Sequence, residues 1–158
     1  MADELHKSQV STEAVSTRVI SQLQQSFYAK KQMVTVEATA PSIYADTARL
    51  EQVLVNLLDN ASKYNPEGGR ITLTWELVSS GDGILMKVAN TGPGIPPEHH
   101  TRLFERFYRV DKARSREQGG TGLGLAIVKH IMQRHGGTGW VESGVGQGAT
   151  FICHFPLT

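Results

Sequence analysis

Two separate runs of this sequence carry residue types that bind magnesium and phosphate. Residues 56–64 read NLLDNASKY and offer amide oxygens and an ammonium group. Residues 119–125 read GGTGLGL and open a helical pattern. Amide oxygens suit Mg²⁺, which prefers hard oxygen ligands. Backbone N–H groups of a glycine loop at a helix start suit an anion. The two runs together predict the two halves of one nucleotide site.

The first run lies on a predicted helix at residues 47–64, for which Asp46 is the candidate N-cap. Because successive helical residues turn by about 100°, Asn56, Asn60 and Lys63 share one arc beside the apolar stripe. An amide oxygen there can bind Mg²⁺, Lys63 can meet phosphate, and Tyr64 can pack on a flat base. Such a helix alone is more often a solvated polar face, so the assignment depends on the second run.

The second run is the more specific half of the predicted site. Its glycines let the backbone approach an anion closely, and the following helix presents unpaired N–H groups and a positive dipole end. It is not a P-loop, because no Gly-Lys-Ser/Thr follows, and no clear strand precedes it as a dinucleotide fingerprint requires. A flexible linker capped by a helix is the alternative for this segment alone.

Two further segments have possible roles in the same site. The loop at residues 90–96, NTGPGIP, follows a strand pattern; its glycines can make room for a purine and Asn90 can hydrogen-bond the base. A simple turn explains this loop equally well.

Residues 104–109, FERFYR, put aromatic side chains on one face that can dock on the body of the domain, and a basic run follows. Arginines beside a triphosphate suit charge neutralisation during phosphoryl transfer, although a solvated surface is the usual explanation.

The elements that would position these residues form helices layered on a mixed or antiparallel sheet. Residues 1–12 are polar and aperiodic and are expected to be a frayed end or polar leader, followed by one domain at 13–158. Helices are predicted at 13–30, 47–64, 98–108 and 122–135, and strands at 32–38, 43–45, 70–78, 84–89, 139–143 and 149–156.

Composition narrows the function classes. The 158 residues suit one α/β domain, and a net charge of +1 gives no indication of nucleic acid or an acidic membrane surface. The single cysteine, Cys153, excludes an internal disulfide and lies in a strand pattern typical of a core thiol. The histidines show no metal-ligand spacing, and no apolar run approaches the ~20 residues needed to span a membrane.

Taken in order, these segments resemble the catalytic ATP-binding domain of bacterial two-component sensor histidine kinases. The resemblance covers residues 13–157 and includes four boxes. They are the N box (50–64), the G1 box (90–95), the F box (104–109) and the G2 box (119–125). The resemblance implies a two-layer α/β sandwich of the Bergerat type, with a mixed, mainly antiparallel sheet of about five strands packed on about three helices.

The resemblance also implies roles for individual residues. ATP would lie between the N-box helix and a lid at residues 105–120, with Asn60 as the Mg²⁺ ligand. Asn56, Lys63 and Arg109 would act in catalysis, Lys63 on phosphate and Arg109 near the γ-phosphate or the docking surface. The implied nucleotide-binding residues are Asn56, Asn60, Lys63 and Tyr64 in the N box, Asn90, Gly92, Gly94 and Ile95 in the G1 box, and Gly120, Thr121, Gly122, Leu123 and Gly124 in the G2 box.

Two positions distinguish this chain from its family or from related ATPases. The G1 box commonly begins with Asp, which accepts a hydrogen bond from the adenine amino group, whereas Asn90 stands here. A neutral acceptor is expected to weaken binding by about 1 kcal/mol. Related ATPases carry a Glu general base where Asn56 stands. Because an amide cannot take a proton at neutral pH, hydrolysis should be slow, which favours transfer to a side chain supplied from elsewhere.

The family's phosphoacceptor histidine is followed by an acidic residue, but His6 is followed by Lys7 and does not match. The resemblance therefore implies a monomeric catalytic domain that needs a separate histidine-bearing dimerisation domain and feeds a response regulator. It implies a cytoplasmic domain with no nucleic acid or direct membrane contact, in a full-length protein that the family often anchors in the inner membrane. A serine kinase or ATPase on the same fold, and a non-enzymatic nucleotide sensor or docking module, are the alternatives.

Overall fold

The computed structural model describes residues 4–92, 94–95, 97–105, 124–143 and 148–157. Within these ranges, helices pack against a five-stranded sheet and a small two-stranded sheet lies beside them. The helices are α1 (Thr12–Ala29), α2 (Thr47–Lys63) and α3 (Gly124–Arg134). The strands are β1 (Lys7–Ser11), β2 (Met33–Ala38), β3 (Ser42–Asp46), β4 (Arg70–Leu77), β5 (Gly83–Asn90), β6 (Thr138–Ser143) and β7 (Ala149–Pro156).

The large sheet has the strand order β2-β4-β5-β7-β6. The β2–β4 pair is parallel and the other three pairs are antiparallel. Parallel neighbours need a crossover connection, and here the chain passes through β3 and α2 between the two strands. The predicted α/β sandwich with a mixed, mainly antiparallel sheet is confirmed.

The core lies between α2 and the helix-facing side of the sheet. Alternate residues of β4, namely Ile71, Leu73 and Trp75, are fully buried, as period-two patterning predicts. The apolar stripe predicted for α2 is buried, and its residues recur at helical spacing: Leu50, Val53, Leu54, Leu57, Leu58 and Ala61. The indole N–H of Trp75 donates to Ser16 Oγ at 2.8 Å, so this large side chain is buried without an unsatisfied donor.

The N-terminal segment differs from its prediction. Lys7–Ser11 form β1, which pairs antiparallel with β3 and buries Val10. The expectation of a frayed end is therefore wrong for these five residues. The pattern gave no strand signal because Val10 is the one buried residue of the strand, and its partner strand lies beyond the whole of α1.

The predicted helix at 98–108 is also wrong in the part that the structure describes. Pro97–His99 form a 3-10 turn, and turns continue to Glu105 through bonds from His100 N to Pro97 O (3.1 Å) and from Glu105 N to Arg102 O (2.9 Å). Residues 106–108 lie outside the described ranges. The other predicted helices and strands agree with the structure to within two residues at each end.

Candidate functional site

The N-terminus of α2 is fixed by Asp46, as predicted. One carboxylate oxygen accepts from Arg49 N (3.1 Å), which makes Asp46 the N-cap, and the other accepts from His6 N (2.9 Å) just before β1. The backbone N–H of Asp46 donates to His135 Nε2 at 3.2 Å, directly after α3. One residue therefore ties the start of α2 to β1 and to the end of α3.

These contacts determine the protonation of both side chains. Because His135 Nε2 accepts a hydrogen bond, its proton lies on Nδ1, which donates to Ile131 O at 2.9 Å. Burial lowers the pKa of His135, and the bond to Ile131 offsets this only in part. Burial alone would raise the pKa of Asp46, but the N–H groups of His6 and Arg49 and the Arg49 charge lower it on balance. At neutral pH, His135 is therefore an uncharged imidazole and Asp46 is a charged carboxylate.

The polar arc of α2 has the arrangement that its spacing predicted. Asn56, Asn60 and Lys63 are all half-buried beside the apolar stripe. Asn56 Nδ2 donates to Gly124 O at 3.3 Å, so the N-box helix meets the last glycine of the G2 box at the start of α3. Lys63 Nζ lies 3.1 Å from Asp59 Oδ2. The Asn60 side chain has no hydrogen-bond partner among the described residues, so its amide can serve a ligand.

The loop after β5 packs directly against the end of α2. Thr91 Oγ1 donates to Asn65 Oδ1 at 2.9 Å. Gly92 has φ 122°, and a Cβ there would lie 3.2 Å from Pro66 Cδ. Gly92 is therefore required both by its backbone conformation and by this close approach. The structure brings the G1-box loop next to Tyr64, whose carbonyl lies 3.8 Å from the same Cβ position.

Asn90 ends β5 on the helix-facing side of the sheet, opposite the buried Ile71. Its Oδ1 accepts from Ala149 N at 3.0 Å. Its amide N–H₂ has no hydrogen-bond partner within the ranges the structure covers. The sequence did not reveal the Ala149 contact, because a backbone donor carries no residue-type signal.

Ser143, which the sequence analysis did not identify, holds the remainder of the G1-box loop. Ile95 N donates to Ser143 Oγ at 2.6 Å, and Ser143 Oγ donates to Gly148 O at 2.9 Å. His100 Nε2 lies 2.8 Å from Ile95 O, and Gly94 has φ 78°. No motif marks Ser143; only its place at the end of β6 brings it to the loop.

Five predicted site residues lie outside the described ranges. They are Arg109, Gly120, Thr121, Gly122 and Leu123. Most of the predicted lid at 105–120 lies outside as well. Just before it, Phe104 packs edge-on against Phe151, with ring centroids 6.3 Å apart and an interplanar angle of 73°. This contact agrees with the prediction that F-box aromatics dock on the body.

The donor chemistry of the site suits oxygen-coordinated magnesium better than a soft metal. No group of three His, Cys, Asp or Glu side chains within the described part of the chain could hold a metal ion. Mg²⁺ takes few protein ligands and keeps waters and phosphate oxygens, so a single amide at Asn60 fits it.

Burial raises the pKa of Cys153 to about 12, as expected for a core thiol.

The chain has the architecture of a nucleotide-binding α/β sandwich. A mixed sheet packs against helices, and the polar side and end of α2 contact Gly124 and the G1-box loop. Residues 45–158 match the family described as histidine kinase-, DNA gyrase B- and HSP90-like ATPase. This match covers well over half of the chain, which therefore belongs to that family and carries its catalytic ATPase domain.

Individual relatives agree with this family assignment. Sensor histidine kinase WalK of Bacillus subtilis (strain 168) is 45% identical over 111 residues, which are 70% of this chain and 18% of WalK. The chain thus spans less than a fifth of that relative's length. Full-length ShkA in complex with AMPPNP superposes with a TM-score of 0.86 at 33% identity, over 100% of this chain and 32% of ShkA.

A third relative is known both as a free domain and in a complex. The nucleotide-free catalytic domain of histidine kinase ThkA has a TM-score of 0.82 at 27% identity, covering 98% of this chain and 99% of that domain. ThkA in complex with the response regulator protein TrrA has a TM-score of 0.78 at 26% identity, covering 96% of this chain and 42% of ThkA. The chain is therefore similar in extent to an isolated kinase catalytic domain.

Proposed function

We propose that this chain is the ATP- and Mg²⁺-binding catalytic domain of a sensor histidine kinase. It transfers the γ-phosphoryl group of ATP to a histidine on a separate dimerisation domain. The observation that carries the proposal is the polar arc of α2, with Asn60 available to a ligand and Asn56 bonded to Gly124 at 3.3 Å. The family match and the resemblance to ShkA bound to AMPPNP support it.

In this proposal the residues bind and position rather than react. Asn60 Oδ1 would hold Mg²⁺, which when bound neutralises charge on the phosphate oxygens. Lys63 would meet phosphate as a point charge, in competition with its ion pair to Asp59. Asn56 cannot act as a general base, so the chain provides no activated water in the N box. Phosphoryl transfer depends mainly on positioning and charge stabilisation, and the nucleophile would be the partner's imidazole.

The remaining nucleotide contacts are proposed from the two glycine-bearing boxes. The base would lie near Tyr64 and the G1-box loop, and the phosphates near the G2 box and Arg109. The proposed contact residues are Tyr64, Asn90, Gly92, Gly94 and Ile95 for the base, and Gly120, Thr121, Gly122, Leu123 and Gly124 for the phosphates.

The proposed partners follow from the relatives. A histidine-bearing dimerisation domain would accept the phosphoryl group, and a response regulator would act downstream. The relative ThkA forms a complex with the response regulator protein TrrA, which supports this proposal. We further propose that the chain is monomeric in isolation and lies in the cytoplasm, within a full-length protein anchored in the inner membrane. None of the helices that the structure describes is long and apolar enough to cross a membrane.

Titration calorimetry with ATP and Mg²⁺, on this chain and on Asn60→Ala, tests the proposed site. Binding that Asn60→Ala weakens supports it, and no binding at millimolar ATP refutes it. The transfer step is tested by adding the dimerisation domain of the parent kinase together with ATP labelled at the γ-phosphate. Acid-labile, alkali-stable label on that domain supports a histidine kinase. Alkali-labile label indicates a serine kinase, free phosphate an ATPase, and binding without transfer a sensor or docking module.

A further inference from the structure

The last turn of α2 is held by two side chains from the connection between α1 and β2. Lys30 Nζ donates to Ser62 O at 2.6 Å and to Lys63 O at 3.1 Å. Gln32 Nε2 donates to Ser62 O at 2.9 Å and to Asn65 O at 3.2 Å. The final carbonyl groups of a helix have no partner within the helix. Here these two side chains, which we call the brace, supply partners to Ser62 and Lys63.

The polar groups of the brace are hydrogen-bonded, and the charge of Lys30 suits its position at the end of a helix. Gln32 is 9% exposed and Ser62 is 2% exposed, and Ser62 Oγ donates to Gln32 Oε1 at 2.6 Å. Both polar ends of the Gln32 amide are therefore satisfied in a buried setting. The ammonium of Lys30 lies at the negative end of the α2 dipole, where a cation is favourable.

The side-chain contact between Ser62 and Gln32 lies away from the Asn60 face of α2, and the other bonds of the brace reach backbone carbonyls at the end of the helix. Ser62 is two residues after Asn60, which is a turn of about 200° around the helix axis. The brace therefore does not use the Asn60 side chain, and it holds Lys63, whose ammonium pairs with Asp59, through the backbone carbonyl. The same turn ends at Tyr64, whose N–H donates to Asn60 O at 3.1 Å.

The brace also connects to the G1-box loop. Asn65, which accepts from Gln32 through its carbonyl, donates from Nδ2 to Arg70 O at 3.0 Å and accepts from Thr91 Oγ1 at 2.9 Å. Thr91 directly precedes Gly92. A continuous hydrogen-bonded path thus runs from the end of α1, past the end of α2, to the loop after β5.

We infer that Lys30 and Gln32 are positioning residues for the nucleotide site, a role that rests on the function proposed above. Neither needs to touch the ligand. They keep the last turn of α2 in the one geometry in which Asn60 and Lys63 face the phosphates. The apparent affinity is proportional to the fraction of molecules that have the binding geometry. Loosening this turn therefore weakens nucleotide binding without removing any ligand contact.

Calorimetric titration of ATP with Mg²⁺ on three variants and the parent tests this role. Gln32→Glu keeps an acceptor for Ser62 Oγ but turns an oxygen towards the carbonyls of Ser62 and Asn65. Lys30→Met removes the ammonium at nearly constant length, and Lys30→Arg restores a cation. We expect the Kd to rise about tenfold for the first two, the equivalent of one lost strong hydrogen bond, and to return towards the parent value for Lys30→Arg. Exchange of the Tyr64 amide proton should accelerate in the same two variants.

Ser16→Ala is the matched control, because it removes the hydrogen bond to the Trp75 indole near the other end of α1. It should lower the unfolding midpoint and leave the Kd unchanged. The inference is overturned if Lys30→Met and Gln32→Glu lower the midpoint as Ser16→Ala does while the Kd stays at the parent value. If Gln32→Glu does not fold, the half-buried Lys30 still decides the question. Absence of binding in the parent instead refutes the proposed function, and the positioning role with it.

Discussion

Replacing the Asn90 amide by a carboxylate tests which group the end of β5 offers to a purine base. Asn90 Oδ1 accepts from Ala149 N at 3.0 Å. Asp has the same shape and keeps an oxygen at that position, so Asn90→Asp retains this bond and exchanges only the N–H₂ group for a second acceptor. The variant therefore changes the chemistry of the candidate base contact while the end of β5 stays fixed.

The expected change follows from exchanging an amide donor for a charged acceptor. Because Asn90 Oδ1 already accepts from Ala149 N, the amide group that is left over cannot accept from the adenine amino group, whereas a hydrogen bond to a charged acceptor contributes about 1.5–3 kcal/mol. A gain of about 1.5 kcal/mol corresponds to roughly tenfold tighter ATP binding. The O6 atom of guanine is an acceptor, which the amide N–H₂ can serve and a carboxylate repels. The lost neutral hydrogen bond contributes about 1 kcal/mol, so GTP should bind the variant roughly fivefold more weakly.

Competition calorimetry with ATP and GTP, both with Mg²⁺, measures the ratio of the two affinities in the parent and in Asn90→Asp. The reasoning requires the preference for ATP to rise by more than an order of magnitude in the variant. An unchanged ratio, with both proteins binding nucleotide and unfolding at similar temperatures, would show that Asn90 does not face the base.

Three further predictions concern the proposed metal ligand, the buried histidine and the cysteine. Asn60→Ala should abolish the dependence of ATP binding on Mg²⁺, measured by calorimetry with and without chelator. It should shift the free energy of unfolding by less than about 0.5 kcal/mol, because it removes no side-chain hydrogen bond to the described residues. Because the pKa of His135 is lowered from 6.5 in the folded protein, the unfolded chain binds a proton first as the pH falls. Urea unfolding should therefore show stability decreasing below pH 6.5, and a smaller slope in His135→Gln would identify the group. Cys153, with a pKa of about 12, should resist iodoacetamide in the folded protein and react in denaturant; rapid labelling of the folded form would contradict its burial.

The sequence predicted the helices and strands that have long, regular apolar patterns. Helix α2 is the clearest case, because its buried residues recur at helical spacing over the whole element. The same periodicity placed Asn56 and Asn60 together on its polar arc. Strand β1 was missed since one buried valine cannot establish a period. The predicted helix at 98–108 was wrong over residues 98–105, the part that the structure describes, because aromatic spacing does not determine whether turns close at i+3 or i+4.

Contacts between distant segments are the part of the candidate site that sequence reasoning could not supply. Gln32 and Ser62 are separated by 30 positions and belong to no shared motif. The partner of Asn90 is a backbone N–H, which every residue except proline possesses. The N box and the G2 box were expected to lie together only because both were assigned to one ligand, and the bond between Asn56 and Gly124 was not predicted.

The position of Asp46 in the contact network has a consequence for how the chain folds. This residue bonds to His6, 40 positions earlier, and to His135, 89 positions later. A ribosome-bound chain cannot complete this junction until nearly the whole domain has emerged. Contacts of such sequence separation slow folding. We therefore expect a slow, all-or-none folding reaction in which shortened chains ending before α3 remain unfolded.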